Sequence, residues 1–226
     1  MTYDLQLTTN KMNAATAKVE THQNEKMQRY YRRHAAIYDL SRWTFLFGRK
    51  EVIRRLPFEW DEAISVLEIG CGTGYNLETI AKNFPNARLT GLDVSADMID
   101  RAANRLIPFK DRVTLIQKPY QRGGGEWGDG FDVILFSYSL TMINPQWEDL
   151  LQQAKTDLKP GGILAAVDFH DSRFGWFKRH MGRNHVRMDG HLTPVMERAF
   201  AAEVSEVKGA YLGVWDYFVF LGRKEE

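Results

Sequence analysis

Between positions 68 and 74 the chain reads Glu68-Ile69-Gly70-Cys71-Gly72-Thr73-Gly74. Alternate glycines at the exit of an apolar stretch let backbone come close to a ligand. The spacing is G-x-G-x-G. A dinucleotide turn needs G-x-G-x-x-G, with pyrophosphate on a helix N-terminus, and its third glycine would fall where Tyr75 stands. Glu68, two positions before the first glycine, would repel a pyrophosphate and suits a cationic ligand. Asp93 lies 19 residues beyond Gly74, at the tip of the next apolar stretch. An acid there accepts hydrogen bonds from ribose hydroxyls. Together these residues describe a nucleoside site without phosphates.

A strict alternation of elements must position them. Residues 65–70 read as a short buried strand, 73–83 as a helix with Pro85 stopping the chain beyond it, and 87–94 as a strand. Ser95 is a good N-cap for a helix running to about Leu106. Residues 112–118 and 131–137 read as strands, the glycine-rich 123–130 as a loop, and 147–158 as a helix. Lys159-Pro160-Gly161-Gly162 reads as a turn before a strand over 163–169. Thr193-Pro194 opens a helix, with Thr as cap and Pro in the first turn. Two late strands, near 204–212 and 215–222, are joined tightly around Gly213, which predicts an antiparallel hairpin at a sheet edge. Short apolar strands alternating with helices predict a parallel sheet covered on both sides. Upstream, 26–56 has a helical pattern, with Tyr31, Ala35 and Tyr38 on one face and Pro57 ending it. Residues 1–25 are polar and aperiodic, and are expected to be mobile.

With 226 residues, 44% of them hydrophobic, the chain can bury one good core, so a single domain over 26–226 is expected. The net charge of +1 argues against bulk nucleic-acid binding, but the charge is segregated. Residues 26–55 carry nine basic residues against two acids, a net +7, and 171–191 carry five against two, a net +3, leaving −9 elsewhere. Segregation of this kind suggests an anionic partner on one face. Cys71 is the only cysteine, so there is no disulfide framework and no cysteine zinc site. His170, His180, His185 and His191 are spaced irregularly, unlike a zinc site. No apolar run approaches the roughly 20 residues needed to span a bilayer, and no apolar signal core opens the chain. A cytoplasmic protein is expected.

The constellation of E-x-G-x-G-x-G at 68–74, Asp93, and Lys159-Pro160-Gly161-Gly162 ahead of the fifth strand resembles the class I S-adenosylmethionine-dependent methyltransferases, over about residues 64–222. The resemblance implies an α/β, Rossmann-like fold. Its seven-stranded sheet would be mostly parallel, with an antiparallel C-terminal hairpin and a helical lid over 26–56. It implies S-adenosylmethionine as cofactor and S-adenosylhomocysteine as product. Carried over by position, Gly70, Cys71, Gly72 and Gly74 would line the methionine half, with Glu68 in the same site. Asp93 would bind the ribose, and Val94 and Met98 would lie against adenine. After the third strand the family reads acid-Ala; here Gln117-Lys118-Pro119-Tyr120 stands instead, and Gln117 would replace the acid's contact. Ser137 and Tyr138 would face the sulfonium. Tyr31 and Tyr38 would point inward from the lid and the arginines outward.

The acceptor is read outside this shared core. The segments YDLSRWTFLFGR (38–49), FSYSLTMI (136–143) and HVRMDGHL (185–192) resemble the bacterial betaine-lipid N-methyltransferases, nearly from Tyr31 onward. That resemblance implies successive methylation of diacylglyceryl-homoserine to diacylglyceryl-trimethylhomoserine. Phosphatidylethanolamine and ornithine-lipid N-methyltransferases share much of the pattern, and a quinone-like or soluble acceptor stays open. The implied step is in-line attack of a neutral amine on the sulfonium methyl, without a metal. The enzyme contributes positioning, desolvation and a base or water path. His170 is the candidate base, with Tyr138 as alternative. Tyr31, Tyr38 and Tyr138 would form an aromatic wall for the cationic centre. Arg183 and Arg187 are candidates for holding an acidic headgroup. Outward arginines with Trp43, Phe45 and Phe47 make a basic amphipathic surface, so a peripheral place on the inner face of an anionic membrane is expected. A lipid substrate and a partner enzyme of the same lipid pathway complete the expectations.

Overall fold

The computed structural model describes residues 46–123, 127–143 and 146–225. Seven strands form one sheet: β1 (Ser65–Ile69), β2 (Arg88–Asp93), β3 (Val113–Gln117), β4 (Phe131–Ser137), β5 (Leu158–Asp171), β6 (Ala201–Ala210) and β7 (Trp215–Arg223). Their order is β3-β2-β1-β4-β5-β7-β6. The first five are parallel, and β7 lies antiparallel between β5 and β6. The helices are α1 (Arg49–Arg54), α2 (Tyr75–Asn83), α3 (Ala96–Arg105), α4 (Trp147–Asp157), α5 (Gly175–Arg183) and α6 (Leu192–Ala199). This is the α/β sheet with an antiparallel C-terminal pair that the sequence predicts.

The period of two along each strand builds two cores. Val66, Val133, Ile163, Ala165, Val167 and Val219 face α1, α2 and α3, whose Val52, Ile53, Leu77, Ile80 and Ala102 complete one cluster. Their strand neighbours Leu67, Ile134, Leu164, Ala166, Phe218 and Phe220 point to the opposite face, against Leu150, Leu151 and Ala154 of α4 and Met196 of α6. Successive side chains alternate across a strand, so a strand covered on both faces must be apolar throughout. Each such Val, Leu, Ile, Phe or Met side chain contributes about 1.5–3 kcal/mol when fully buried. The edge strand β6 is polar and mostly exposed. It carries ion pairs from Glu203 to Arg223 and from Glu206 to Arg55, the kind of charge that discourages edge-to-edge pairing.

The chain leaves β1 toward β2 and leaves β4 toward β5, so the strand order reverses between β1 and β4. A crevice opens above the C-terminal strand ends at such a point. The glycine turn after β1 and the Ser137-Tyr138 exit of β4 flank it.

Several local expectations are corrected. Ser95 stands at the N-cap of α3, but its side chain makes no capping bond; the Asp93 carboxylate accepts from the Ser95 N–H instead, at 2.9 Å. Helix α6 begins at Leu192, and the Thr193 hydroxyl donates back to the Gly190 carbonyl at 3.4 Å rather than capping. The Lys159-Pro160-Gly161-Gly162 turn is absorbed into β5 as an irregularity, with Leu158 opposite Phe131 and Ile163 opposite Val133. Helix α5 was not expected; glycines at 175 and 182 hide its pattern. Phe177 and Met181, four apart, are the signal that marks its inner face. Within the described part of the upstream segment, helix runs only over Arg49–Arg54. The rest of that expectation lies outside the described residues.

Candidate active site

The turn after β1 is held from below. The N–H groups of Gly70 and Cys71 both donate to the Leu92 carbonyl at 2.9 Å, and Gly74 N–H donates to the Cys71 carbonyl at 3.0 Å. Gly70, Gly72 and Gly74 have φ of 73°, 54° and 74°, the left-handed region that side chains disfavour. At Gly70 space is short as well: an added Cβ would stand 3.0 Å from Cβ of Ser139, beyond β4. The two sides of the crevice meet there.

Asp93 joins the turns. It is buried; Oδ2 accepts from Gly72 N–H at 2.8 Å and Oδ1 from Ser95 N–H. A carboxylate offers about four acceptor positions, the kind of group that can bind a ribose diol. Glu68 is buried beneath the turn, and its Oε1 accepts from the Asn76 side chain of α2 at 2.6 Å. On the β4 side, the Ser137 and Ser139 hydroxyls are buried with no partner among the described residues. Buried polar groups of this kind are rare without a ligand or water. Across the mouth, the Arg49 guanidinium stands 4.4 Å from the Tyr75 ring centroid, and Arg49 Nε donates to the Leu46 carbonyl at 3.3 Å. Arg49 is half-buried. It faces the turn, which corrects its expected place on an outward basic surface.

The other expected residues scatter. Val94 is half-buried and Met98 almost wholly buried. Gln117 is exposed at the end of β3, its amide 3.5 Å from the Val94 carbonyl. Lys118 lies over the Trp127 ring at 4.4 Å, and Pro119 is exposed. Cys71 is buried with the first core. Tyr31 and Tyr38 lie outside the described residues, as do Trp43 and Phe45.

Tyr138 and His170 are not brought together. Tyr138, at φ 56°, packs edge-on against Phe169 on the α1–α3 side, 4.8 Å between centroids. Its hydroxyl donates to the Phe47 carbonyl at 2.9 Å, and burial pushes the phenol well up. It therefore keeps its proton and anchors the chain at Phe47. His170 packs toward Phe218 on the opposite face. Gly190 lies over its ring, where a Cβ would come within 3.2 Å, and its Nδ1 is buried without a partner among the described residues. Arg187 is committed to Asp189 at 2.7 Å. Against the burial that would raise it, Arg187 and His191 hold the Asp189 carboxyl below its ordinary value. Arg183 is exposed on α5 and makes no ion pair among the described residues.

Asp168 has no counterpart among the sequence expectations. It is fully buried. It accepts from the Thr141 hydroxyl at 2.5 Å, Thr141 N–H at 3.1 Å and Phe169 N–H at 2.8 Å, so it clamps the turn that leaves β4. Burial raises its carboxyl to about 6, against those donors. A folded value above the unfolded 3.8 means the folded state binds the extra proton between them. Stability from this group is therefore full below pH 4 and is lost as pH rises to 6. Relative to an Asp168→Asn variant, which does not titrate there, the wild-type unfolding free energy should gain roughly 2.4 kcal/mol from pH 7 to pH 4. Urea titrations across that range check it; a difference independent of pH would show that Asp168 does not titrate there.

Sheet order, glycine turn and the acid at the tip of β2 are those of the Rossmann-like methyltransferase fold, whose cofactor is S-adenosylmethionine. The buried Ser137 and Ser139 hydroxyls, the Asp93 carboxylate at the tip of β2 and the backbone-close floor at Gly70 fit it. Residues 67–164 match the family model of the methyltransferase domain. Among curated proteins the chain is similar to the trans-aconitate 2-methyltransferase of Paracidovorax citrulli, 28% identical over 76% of this chain and 60% of that protein. It is also similar to the malonyl-[acyl-carrier protein] O-methyltransferase of Priestia megaterium, 28% identical over 66% and 53%. The chain thus spans little more than half the length of these relatives. Among solved structures, the N-methyltransferase NodS from Bradyrhizobium japonicum WM9 superposes with a TM-score of 0.63 at 22% identity, covering 79% of this chain and 96% of that one. NodS in complex with S-adenosylhomocysteine gives the same TM-score at 20% identity, over 79% and 87%.

Proposed function

We propose that this chain transfers methyl groups from S-adenosylmethionine to the amino headgroup of a membrane lipid, diacylglyceryl-homoserine first among candidates. The observation that carries the donor half is the buried Asp93 carboxylate, which bonds the turn after β1 and the turn after β2 at the point where the strand order reverses. When bound, the cofactor supplies an activated methyl on a sulfonium. Asp93 holds the ribose, Arg49 and the Ser137 and Ser139 hydroxyls hold the charged amino-acid end, and Glu68 places negative charge beneath a cationic ligand. Tyr138 stays protonated and holds Phe47 in place. The proton of the acceptor amine leaves by a water path from the crevice. The lipid half is supported by what borders the crevice: α5, which follows β5 at the same sheet end, exposes Trp176 beside Arg179 and Arg183. Among the described residues no helix is long and apolar enough to cross a membrane.

A soluble carboxylate acceptor is the second reading, favoured by the names of the two curated relatives. Labelled methyl donor, offered with diacylglyceryl-homoserine, phosphatidylethanolamine, ornithine lipid, trans-aconitate and malonyl-acyl carrier protein, separates them. Label on a lipid amine is expected. Label on trans-aconitate or the malonyl thioester alone replaces the lipid reading, and no label on any acceptor by a cofactor-binding protein sinks both.

A further inference from the structure

A leucine held wholly in water is unusual when its neighbours are also exposed and apolar. Leu212 is 101% exposed in the turn between β6 and β7, and Tyr211 beside it 47%. Both have positive φ, 56° and 47°, a conformation that branched and bulky residues disfavour. The turn is nevertheless held: Arg173 donates to the Gly213 carbonyl at 3.0 Å and to the Leu212 carbonyl at 3.1 Å. That side chain ties the turn to the start of α5, where Phe174 is 38% and Trp176 63% exposed. The two exposed groups are linked beneath the surface by the buried rings of Trp215 and Phe177. Tyr211 packs on Trp215 at 4.7 Å, Trp215 stacks on Phe177 at 5.3 Å, and Phe177 meets Trp176 at 5.6 Å. Single exposed apolar residues need no explanation, but a contiguous patch does.

The surface lies at the crevice end of the sheet. Helix α5 follows the C-terminal end of β5, and β7 begins there, with Asp216 opposite Asp171. Tyr211 also packs on Phe47 at 5.4 Å, and the carbonyl of Phe47 takes the Tyr138 hydroxyl. The charge on α5 itself has one sign, with Lys178, Arg179 and Arg183 and no acid. Between Asp171 and Asp189 there are five basic residues and no acid. Lys178 pairs with Asp171 and Arg187 with Asp189, while Arg179 and Arg183 make no ion pair among the described residues. A protruding apolar turn with aromatic neighbours and unpaired arginines matches the headgroup and upper acyl region of an anionic bilayer.

We infer that the turn at Tyr211–Gly213 and the outer face of α5 form a membrane-docking surface for anionic phospholipid, which brings the crevice to the bilayer holding the acceptor. Leu212 and Trp176 insert, and Arg179 and Arg183 meet the headgroups. The surface deepens the lipid-acceptor reading above and rests on it.

The test uses the full chain and flotation with vesicles of phosphatidylcholine, with and without phosphatidylglycerol. The expected result is binding only to the anionic vesicles, weakened at least tenfold, on the order of two inserted apolar side chains, by Trp176→Ser with Leu212→Asn. Asn suits the left-handed turn, so that variant should fold. Arg179→Gln should lower binding about fivefold at low salt. Melting temperature and S-adenosylhomocysteine affinity should stay at wild-type values in the double variant, so loss of docking reads apart from loss of the cofactor site. Equal flotation of wild type and double variant overturns the proposal. So does a wild-type dimer that ignores vesicles and dissociates in the double variant, since the surface would then cover a second copy.

Discussion

Asp93→Ala should weaken S-adenosylhomocysteine binding at least tenfold and lower the melting temperature, both in one protein. The side chain does two jobs. It is the acceptor for buried N–H groups of Gly72 and Ser95, and leaving each without a partner costs about 1–3 kcal/mol. It is also the charged partner proposed for the ribose diol. A hydrogen bond to a charged group contributes about 1.5–3 kcal/mol, and every 1.4 kcal/mol is tenfold in affinity. Asp93→Asn separates the jobs. It keeps one acceptor oxygen for the turn but loses the charge, so it should retain more of the stability than of the affinity. Titration calorimetry with S-adenosylhomocysteine and thermal melts of both variants decide it. An unchanged dissociation constant for either would remove Asp93 from the binding site and leave it a strut.

Gly70→Ala should also lose most cofactor affinity, by a different route. At φ 73° a side chain costs about 1–2 kcal/mol in backbone strain alone. The added methyl also meets Ser139 at 3.0 Å, so either the turn or the exit of β4 must move, and both border the ligand. Gly161→Ala is the matched control. It has nearly the same φ, 71°, but nothing within 4 Å of the added carbon. Both variants should melt several degrees lower, at roughly 2–4 °C per kcal/mol for a chain of this size. Only Gly70→Ala should lose affinity, by at least about tenfold, since a shift of the floor of the site forfeits more than one hydrogen bond. Equal affinities would mean that the floor yields without consequence.

What could be read beforehand follows how local the cause is. The glycine turn demands its spacing within five residues, and Asp93 declares itself by ending an apolar strand. The apolar runs of β1 and β4 are visible because both their faces are buried. What was hidden needs partners far apart in the chain. The Tyr138 hydroxyl finds Phe47, 91 positions away, and Asp168 clamps Thr141, 27 positions away. No period in the sequence encodes either bond. Arg49 looked like part of a solvated basic face because composition counts charge without direction. Helix α5 was masked by its glycines, and so the exposure of Trp176 was masked too.

The reversed course of the last strand has a practical side. Arg223 lies opposite Ile163, near the start of β5 and at the far end from Ser137 and Asp171. A carrier or solid support attached after that strand would hang from the base of the molecule. The mouth of the cleft and the apolar turn beside it would stay open, so immobilised protein remains suited to vesicle and acceptor assays.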